Sequence, residues 1–166
     1  MNSTISKAFI IILVIIASAS CSSDSSSEEV SVVDNSAMGI WSDTIVKSKY
    51  DDGSIHILWG MKPNDSEMHY EWSYYKNGNL WIEGPKYDTL RHGIWKGYND
   101  QGALIARGTY KVGKATGIYT VWYDDGTKFY EGNMMDGKRV GEWSFFDKSS
   151  KLLKTVDYSA MKSNNN

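Results

Sequence analysis

The sequence predicts an all-β protein, an elongated antiparallel β-meander built from hairpin repeats of about 24 residues. Short runs of aromatic and β-branched residues alternate with turn residues, which is the pattern of strands and hairpins. No stretch between residues 38 and 160 shows the apolar spacing of a helix. Turn glycines recur at intervals of 25, 24 and 24 residues: Gly53, Gly78, Gly102 and Gly126. A period of this length indicates stacked copies of one structural unit.

The residue before each turn glycine favours a tight hairpin turn. Three of the four dipeptides are typical of type I′ turns, in which both central residues have positive φ: Asp52-Gly53, Asn77-Gly78 and Asp125-Gly126. Gln101 precedes the glycine of the remaining copy, and Ser150 takes the turn-glycine position in a degenerate last copy. We therefore expect a tight hairpin turn in each repeat, of type I′ in these three copies.

Two further glycine series come after the turns at constant distance. The second series lies six residues after each turn: Gly84, Gly108 and Gly132. The third series lies fifteen residues after each turn: Gly93, Gly117 and Gly141. An aromatic residue stands two positions later in each copy: Trp95, Tyr119 and Trp143. Because a glycine inside a strand weakens it, we expect the second series to leave room for a neighbouring ring.

Residues 97–117 (GYNDQGALIARGTYKVGKATG) and 122–143 (WYDDGTKFYEGNMMDGKRVGEW) share an order of elements: an aromatic residue, a turn ending in glycine, a strand ending Gly-x-Tyr or its equivalent, and Gly-Lys-x-x-Gly. They resemble the MORN repeat (membrane occupation and recognition nexus), in the variant found in bacterial YwqK-type proteins. The resemblance covers residues 70–158 well and residues 38–69 loosely, and Thr89 replaces one family glycine. It implies a single-layered antiparallel meander.

Residues 1–20 predict a lipoprotein signal peptide. Lys7 precedes the apolar run Ala8–Ala17, which is shorter than the about 20 residues of a membrane span and has the length of a secretory signal core. The adjoining Ser-Ala-Ser-Cys resembles the lipobox of bacterial lipoproteins, although Ser18 stands where that family usually has Leu. The resemblance implies cleavage before Cys21, the one cysteine of the chain, and a diacylglycerol on its sulfur. Ordinary cleavage nearby, which would leave a free thiol, is the alternative.

Residues 21–37 predict a flexible tether, because Ser22–Ala37 is serine-rich and acidic with only three valines. Its first acids resemble the export signals of surface lipoproteins in some Bacteroidetes-like bacteria, and a solvated linker is the alternative. The repeat domain is then 38–160, and residues 161–166 form a frayed tail. We expect lipid anchoring in the bacterial cell envelope, at the periplasmic or surface face of the outer membrane.

Charge and motifs argue against several functions. The net charge is −2 and no basic patch occurs, so the sequence offers no binding surface for nucleic acid or for anionic lipid headgroups. The lipid alone should therefore contact the membrane.

The three histidines lack the close His or Cys pairs of a zinc site: His56, His69 and His92. The acid pairs Asp51-Asp52 and Asp124-Asp125 occupy turns, where Asp bonds to the backbone. We expect no enzyme, no metal and no cofactor.

The seven tryptophans and eleven tyrosines are the main open question. Most should be core, but a single-layered sheet leaves surface uncovered, and an exposed aromatic stripe would mark a binding site. The candidate residues are Trp72, Trp95, Tyr119, Trp122 and Trp143. The expected function is a non-catalytic repeat scaffold that binds an unidentified envelope protein. One alternative is a carbohydrate- or peptidoglycan-binding module. Another, implied by the YwqK resemblance, is an antitoxin-like partner of a toxin, which the export signal opposes.

Overall fold

A computed structural model of the chain describes Trp41 and residues 43–159, so the predicted signal peptide, Cys21, the tether and the tail lie outside the described residues. The described part is one antiparallel sheet of eleven strands, which confirms the predicted all-β meander. The strands are β1 (Asp43–Lys49), β2 (Ile55–Lys62), β3 (Asp65–Tyr74), β4 (Leu80–Tyr87), β5 (Leu90–Arg91), β6 (Gly93–Tyr98), β7 (Leu104–Lys111), β8 (Lys114–Trp122), β9 (Lys128–Met135), β10 (Lys138–Phe146) and β11 (Leu152–Asp157). Each pairs with the next along the chain, except that the short β5 pairs only with β4, and β6 also lies beside β4.

The hairpin turns at the turn glycines are not of type I′, and that prediction was wrong. In the first turn the Gly53 amide donates to the Tyr50 carbonyl at 2.9 Å, and the Tyr50 amide donates to the Ser54 carbonyl at 2.9 Å. Positive φ is confined to the third loop residue, 86° at Gly53 and 63° at Ser150. This is a type I turn closed by a left-handed residue with a bulge. Asp52 is the second central residue of this type I turn and does not have positive φ. Its carboxylate accepts the Ser54 amide at 3.0 Å.

Type I′ geometry occurs instead in the two-residue loops, which join the strands at the ends opposite to the turn glycines. Val112 and Gly113 have φ of 45° and 79°, and Asp136 and Gly137 have φ of 50° and 79°. The flanking residues Lys111 and Lys114 are cross-strand partners, so the loop holds two residues. Two earlier copies place a polar residue with positive φ at the same position: Asn64 and Asp88.

The second glycine series accommodates aromatic rings, as predicted. A Cβ atom added to Gly84 would lie 2.5 Å from the Trp95 indole, and one added to Gly108 would lie 2.5 Å from the Tyr119 ring. Gly132 stands in the same relation to Trp143. Directly opposed residues of an antiparallel pair share a face, and Gly108 opposes both Trp95 and Tyr119. Rings and glycines therefore alternate across one face of the sheet in what we call the aromatic–glycine row: Gly84, Trp95, Gly108, Tyr119, Gly132 and Trp143.

The third glycine series lies in bulges of two extra residues. Between β7 and β8, Thr109 opposes Thr116 while Gly108 opposes Tyr119, so Gly117 and Ile118 have no partner on β7. The corresponding shifts in the other copies contain Gly93-Ile94 and Gly141-Glu142. All three glycines have positive φ, between 62° and 75°. Each bulge shifts its strand so that the next aromatic residue lies opposite a glycine of the second series. The second extra residue of each bulge, which is Ile94, Ile118 or Glu142, is exposed.

Candidate binding surfaces

The five predicted aromatic candidates do not form one exposed stripe. Three of them are buried: Trp72, Trp95 and Trp143. The Trp95 indole also donates a hydrogen bond to the Pro85 carbonyl at 2.8 Å, and the Trp143 indole donates to the Asn133 carbonyl at 3.1 Å. Tyr119 and Trp122 are half-buried. Packing within the sheet thus buries most of the surface of the three tryptophans. Ligand binding by the five candidate residues stays a prediction.

Two arginines cover the buried rings of the aromatic–glycine row. The Arg91 guanidinium lies 4.5 Å from the centre of the Trp95 ring, and that of Arg139 lies 4.4 Å from the Trp143 ring. They occupy the same place two repeats apart, and Arg139 also donates to the Tyr158 hydroxyl at 3.0 Å. Stacking leaves the edge of a guanidinium free to donate hydrogen bonds. Sequence reasoning missed these contacts because they depend on the register of strands that the sequence does not specify.

The buried carboxylate of Glu83 forms its hydrogen bonds with other residues of the sheet. Glu83 accepts hydrogen bonds from the hydroxyls of Tyr70 at 3.1 Å and Tyr98 at 2.7 Å, and it lies 3.5 Å from the Lys96 ammonium. Burial, together with Glu83, raises the pKa of both tyrosines far above the usual range, so both hydroxyls remain donors. Buried polar groups require such partners, and this cluster acts as a structural link between β3, β4 and β6.

Half of the twelve large apolar side chains that are exposed in the described residues lie near the two-residue turns, at what we call the apolar turn edge: Tyr87, Leu90, Ile94, Val112, Ile118 and Met135. Ile94 and Ile118 are the outward residues of two bulges, and each directly precedes a ring of the aromatic–glycine row. Successive side chains point to opposite faces of a sheet, so both isoleucines lie on the face away from that row. Leu90 packs against the next turn, because a Cβ atom added to Gly113 would lie 3.3 Å from it.

A groove of about 370 Å³ lies at the same ends of the strands, among β2, β3 and the turn after β4. Its walls include Trp59, Glu67, His69, Tyr87 and Asp88. Glu67 accepts a hydrogen bond from the Tyr87 hydroxyl. The groove thus combines two aromatic residues with two carboxylates.

His69 forms the buried wall of this groove. Only 4% of its surface is exposed, and its ring is stacked on Trp59 with 3.9 Å between centroids. No described residue forms a hydrogen bond with its buried Nε2 atom. Burial, and secondarily the charge of Lys86, lowers the pKa of His69, so the ring is neutral at pH 7. Sequence reasoning found no zinc site among the three histidines and missed the groove, since its walls come from separate strands.

The polar turn residues have the structural role that the sequence predicted. Asp52 and Asp125 accept hydrogen bonds from the backbone amides of Ser54 and Thr127, at 3.0 and 2.9 Å. Within residues 43–159 and Trp41, no three His, Cys, Asp or Glu side chains are grouped so as to hold a metal ion. The described part of the chain also contains no helix long and apolar enough to cross a membrane.

Residues 91–111 match the family model described as MORN repeat variant. The matched stretch runs from β5 to the end of β7 and contains one residue of each glycine series: Gly93, Gly102 and Gly108. The resemblance to the MORN repeat is therefore confirmed for this copy. Neither a curated protein nor a solved structure matches the chain.

Proposed function

We propose that the protein is a non-catalytic repeat scaffold that binds another protein of the bacterial envelope and is tethered by a lipid on Cys21. The apolar turn edge is the observation that carries the protein-binding part. Single exposed apolar residues are ordinary on protein surfaces, but these recur near the same strand ends in successive repeats. Grouped exposed apolar residues mark interaction sites.

The backbone under this surface supports the proposal. Ile94 and Ile118 come directly after glycines with φ of 75° and 67° inside bulges, and Val112 lies in a two-residue turn. Ile94 and Ile118 each pair with the following strand, opposite Thr109 and Asn133, and the lysines that flank the turn of Val112 pair with each other. Binding would therefore order little backbone. A surface that is already ordered loses less entropy on association.

Substitution of Ile118 tests the binding surface. The full chain, immobilised in detergent, would be incubated with envelope extract, and bound protein quantified over a range of extract concentrations. We expect saturable capture of one partner, reduced at least tenfold by Ile118→Glu. Leu153→Glu is the matched control, because Leu153 on the edge strand β11 is exposed to nearly the same extent, 60% against 62% for Ile118. Equal capture by the Ile118→Glu chain would contradict the proposal.

Lipid attachment is a separate part of the proposal, supported by the lipobox-like sequence before Cys21. Mass spectrometry of the mature N-terminus should find Cys21 as the first residue with a diacylglycerol, and Cys21→Ser should move the protein out of the membrane fraction. Protease treatment of intact cells would then distinguish the surface from the periplasmic face. A mature chain that begins elsewhere, with a free thiol, would exclude the lipid anchor.

Glycan binding is the second candidate function, and one observation favours it. Trp81 is an exposed indole, 6.1 Å from the Tyr75 ring, and an exposed aromatic face can stack on a sugar ring. Titration of peptidoglycan fragments against tryptophan fluorescence, with Trp81→Ala as the comparison, should give a saturable change that the variant loses. An unchanged signal in both chains would exclude this site.

A further inference from the structure

We propose that the face of the sheet around Thr109 binds an acidic segment of the partner protein, in which an apolar side chain lies between two carboxylates. The inference rests on the proposed function, because it specifies the chemistry of the partner that the apolar turn edge binds. Two cross-strand pairs of like charge and the isoleucines between them carry it. We call this surface the Thr109 site: Ile94, Arg107, Thr109, Lys111, Lys114 and Ile118.

Two pairs of cations lie directly opposite one another on neighbouring strands. Arg107 on β7 opposes Lys96 on β6, and Lys111 on β7 opposes Lys114 on β8. Like charges directly opposite each other destabilise an antiparallel pair. Within the described part of the chain, Arg107, Lys111 and Lys114 form no ion pair, whereas Lys96 lies 3.5 Å from Glu83. The two pairs therefore leave positive charge that an anion from outside can neutralise.

Strand register places both pairs on the face that carries Ile94 and Ile118. Arg107 directly precedes Gly108 of the aromatic–glycine row, so its side chain lies on the other face, as do those two and four positions later on β7. Directly opposed residues share that face. The cations are spread over residues 96–114 in the sequence, and the pairing of β6, β7 and β8 gathers them into a basic patch that the sequence alone did not show.

The centre of the site is a small side chain between apolar and charged neighbours. Ile94 on β6 opposes Thr109, and Ile118 lies in the β8 bulge next to Thr109. Both isoleucines are exposed, by 43% and 62%. Arg107 and Lys111 lie two residues before and after Thr109, so their Cα atoms are about 13 Å apart. A complementary ligand places an apolar side chain over Thr109 and a carboxylate on each side of it.

A protein segment fits this site better than a membrane surface does. Carboxylates form strong charge-assisted hydrogen bonds with guanidinium and ammonium groups, and a peptide can be confined to the Thr109 site. An anionic bilayer is a broad surface and would also meet carboxylates on the same face of the next repeats. Glu131 is one of them, because it opposes Thr120, which opposes Arg107. Glu142 is another, since it is the exposed bulge residue equivalent to Ile118.

The test is a titration of the full chain in detergent, labelled with ¹⁵N-isoleucine, with the peptide acetyl-Glu-Ser-Leu-Ser-Glu-amide. In an extended peptide the two carboxylates and the leucine share one face, and the carboxylates have the spacing of Arg107 and Lys111. The amide signal of Ile118, identified by its absence in Ile118→Val, reports binding. We expect a saturable shift, with at least tenfold weaker binding of acetyl-Gln-Ser-Leu-Ser-Gln-amide. The peptide acetyl-Glu-Glu-Leu-Ser-Ser-amide has the same composition with adjacent carboxylates and should bind at least threefold more weakly.

Three results would overturn the proposal. The first is absence of saturation, or equal affinity for the acidic peptide and its glutamine counterpart. The second is equal affinity for the two acidic peptides, because the carboxylates would then not lie on the two cations. The third comes from a parallel titration with glycerol phosphate, the headgroup of phosphatidylglycerol. A saturable shift of the Ile118 signal with this compound and none with the peptides would assign the site to lipid headgroups.

Substitutions locate the effect. Arg107→Gln and Lys111→Gln should each weaken binding of the acidic peptide at least threefold. Lys151→Gln is the matched control, because it removes the same charge from an exposed side chain in the last copy, and it should leave the affinity unchanged. Lys111→Gln also removes a pair of like charges, so the thermal midpoint should not fall. Unchanged affinity in both Arg107→Gln and Lys111→Gln would overturn the proposal.

The outcome for this site is separable from that for the scaffold. If the acidic peptide does not bind while capture of the partner still depends on Ile118, the proposed chemistry fails and the proposed function stands. If the peptide binds with the expected dependence on Arg107 and Lys111 but capture does not depend on Ile118, the chemistry of the site stands and the proposed function fails.

Discussion

The hydroxyl of Tyr75 donates a hydrogen bond to the backbone carbonyl of Tyr98, which lies 2.8 Å away and one repeat further along the chain. Tyr50 bonds to the Tyr74 carbonyl in the same way at 2.7 Å, and Tyr123 bonds to the Phe146 carbonyl at 3.0 Å. In the third copy Asn99 stands at this position, and its amide donates to the Asp124 carboxylate at 3.1 Å. Except in that copy, a phenol at the first residue of the turn thus links one hairpin to the next.

Loss of one such link should be measurable. Tyr75→Phe removes the donor and leaves the Tyr98 carbonyl without that partner, so we expect the free energy of unfolding to fall by about 1 kcal/mol. Tyr123→Phe removes the equivalent link to the Phe146 carbonyl and should lower it by a similar amount. Urea unfolding of the two variants checks both losses. A neutral Tyr75→Phe would show that the contact contributes nothing to stability.

Val112 is a strained residue in a two-residue turn. Its φ is 45°, and a β-branched residue with positive φ is an outlier. Val112→Asn, which supplies a residue that tolerates this conformation, should raise the free energy of unfolding by about 1 kcal/mol. Asp136→Asn at the equivalent turn is the control and should have little effect. A shift of the urea midpoint to lower concentration in Val112→Asn would contradict the assignment of strain.

The aromatic–glycine row should not tolerate a methyl group. The Cβ atom of Gly132→Ala would overlap the Trp143 indole, and overpacking of this kind costs about 1–3 kcal/mol. Gly97→Ala is the matched control in a strand, because its Cβ atom would meet Ala106 at an ordinary 3.6 Å. Thermal unfolding should show a clear loss for the first variant and a change of less than about 0.5 kcal/mol for the second. Similar midpoints for the two would contradict ring packing on Gly132.

Stability should depend on pH through His69. Its pKa in the folded chain lies below the ordinary 6.5, since burial and Lys86 disfavour the charged ring more than Glu71 favours it. The unfolded chain therefore binds a proton first, and stability falls as the pH drops below about 6.5. Unfolding in urea at pH 7.5 and pH 5.5 should show this loss in the native chain and a smaller loss in His69→Phe. Equal losses in the two chains would exclude His69 as the cause.

The period of the repeat was enough to predict the meander, the ring beside each second-series glycine and the turn role of Asp52, because residues at one period occupy equivalent positions. The turn type was wrong at Gly53, since an Asp-Gly pair suits both loop lengths and the sequence alone does not decide between them. The His69 groove could not be predicted, because its walls come from β2, β3 and the turn after β4.

The two-residue bulges have a consequence for how such a protein can change. The outward residue of each bulge has no partner on the preceding strand, so its identity is uncoupled from that pairing; it is Ile94, Ile118 and Glu142 in successive copies. Each copy thus carries one surface position, 24 residues from the next, that can be replaced while the hairpin beneath it keeps its register. Under the proposed function, binding specificity can therefore change one copy at a time, by single substitutions at these positions.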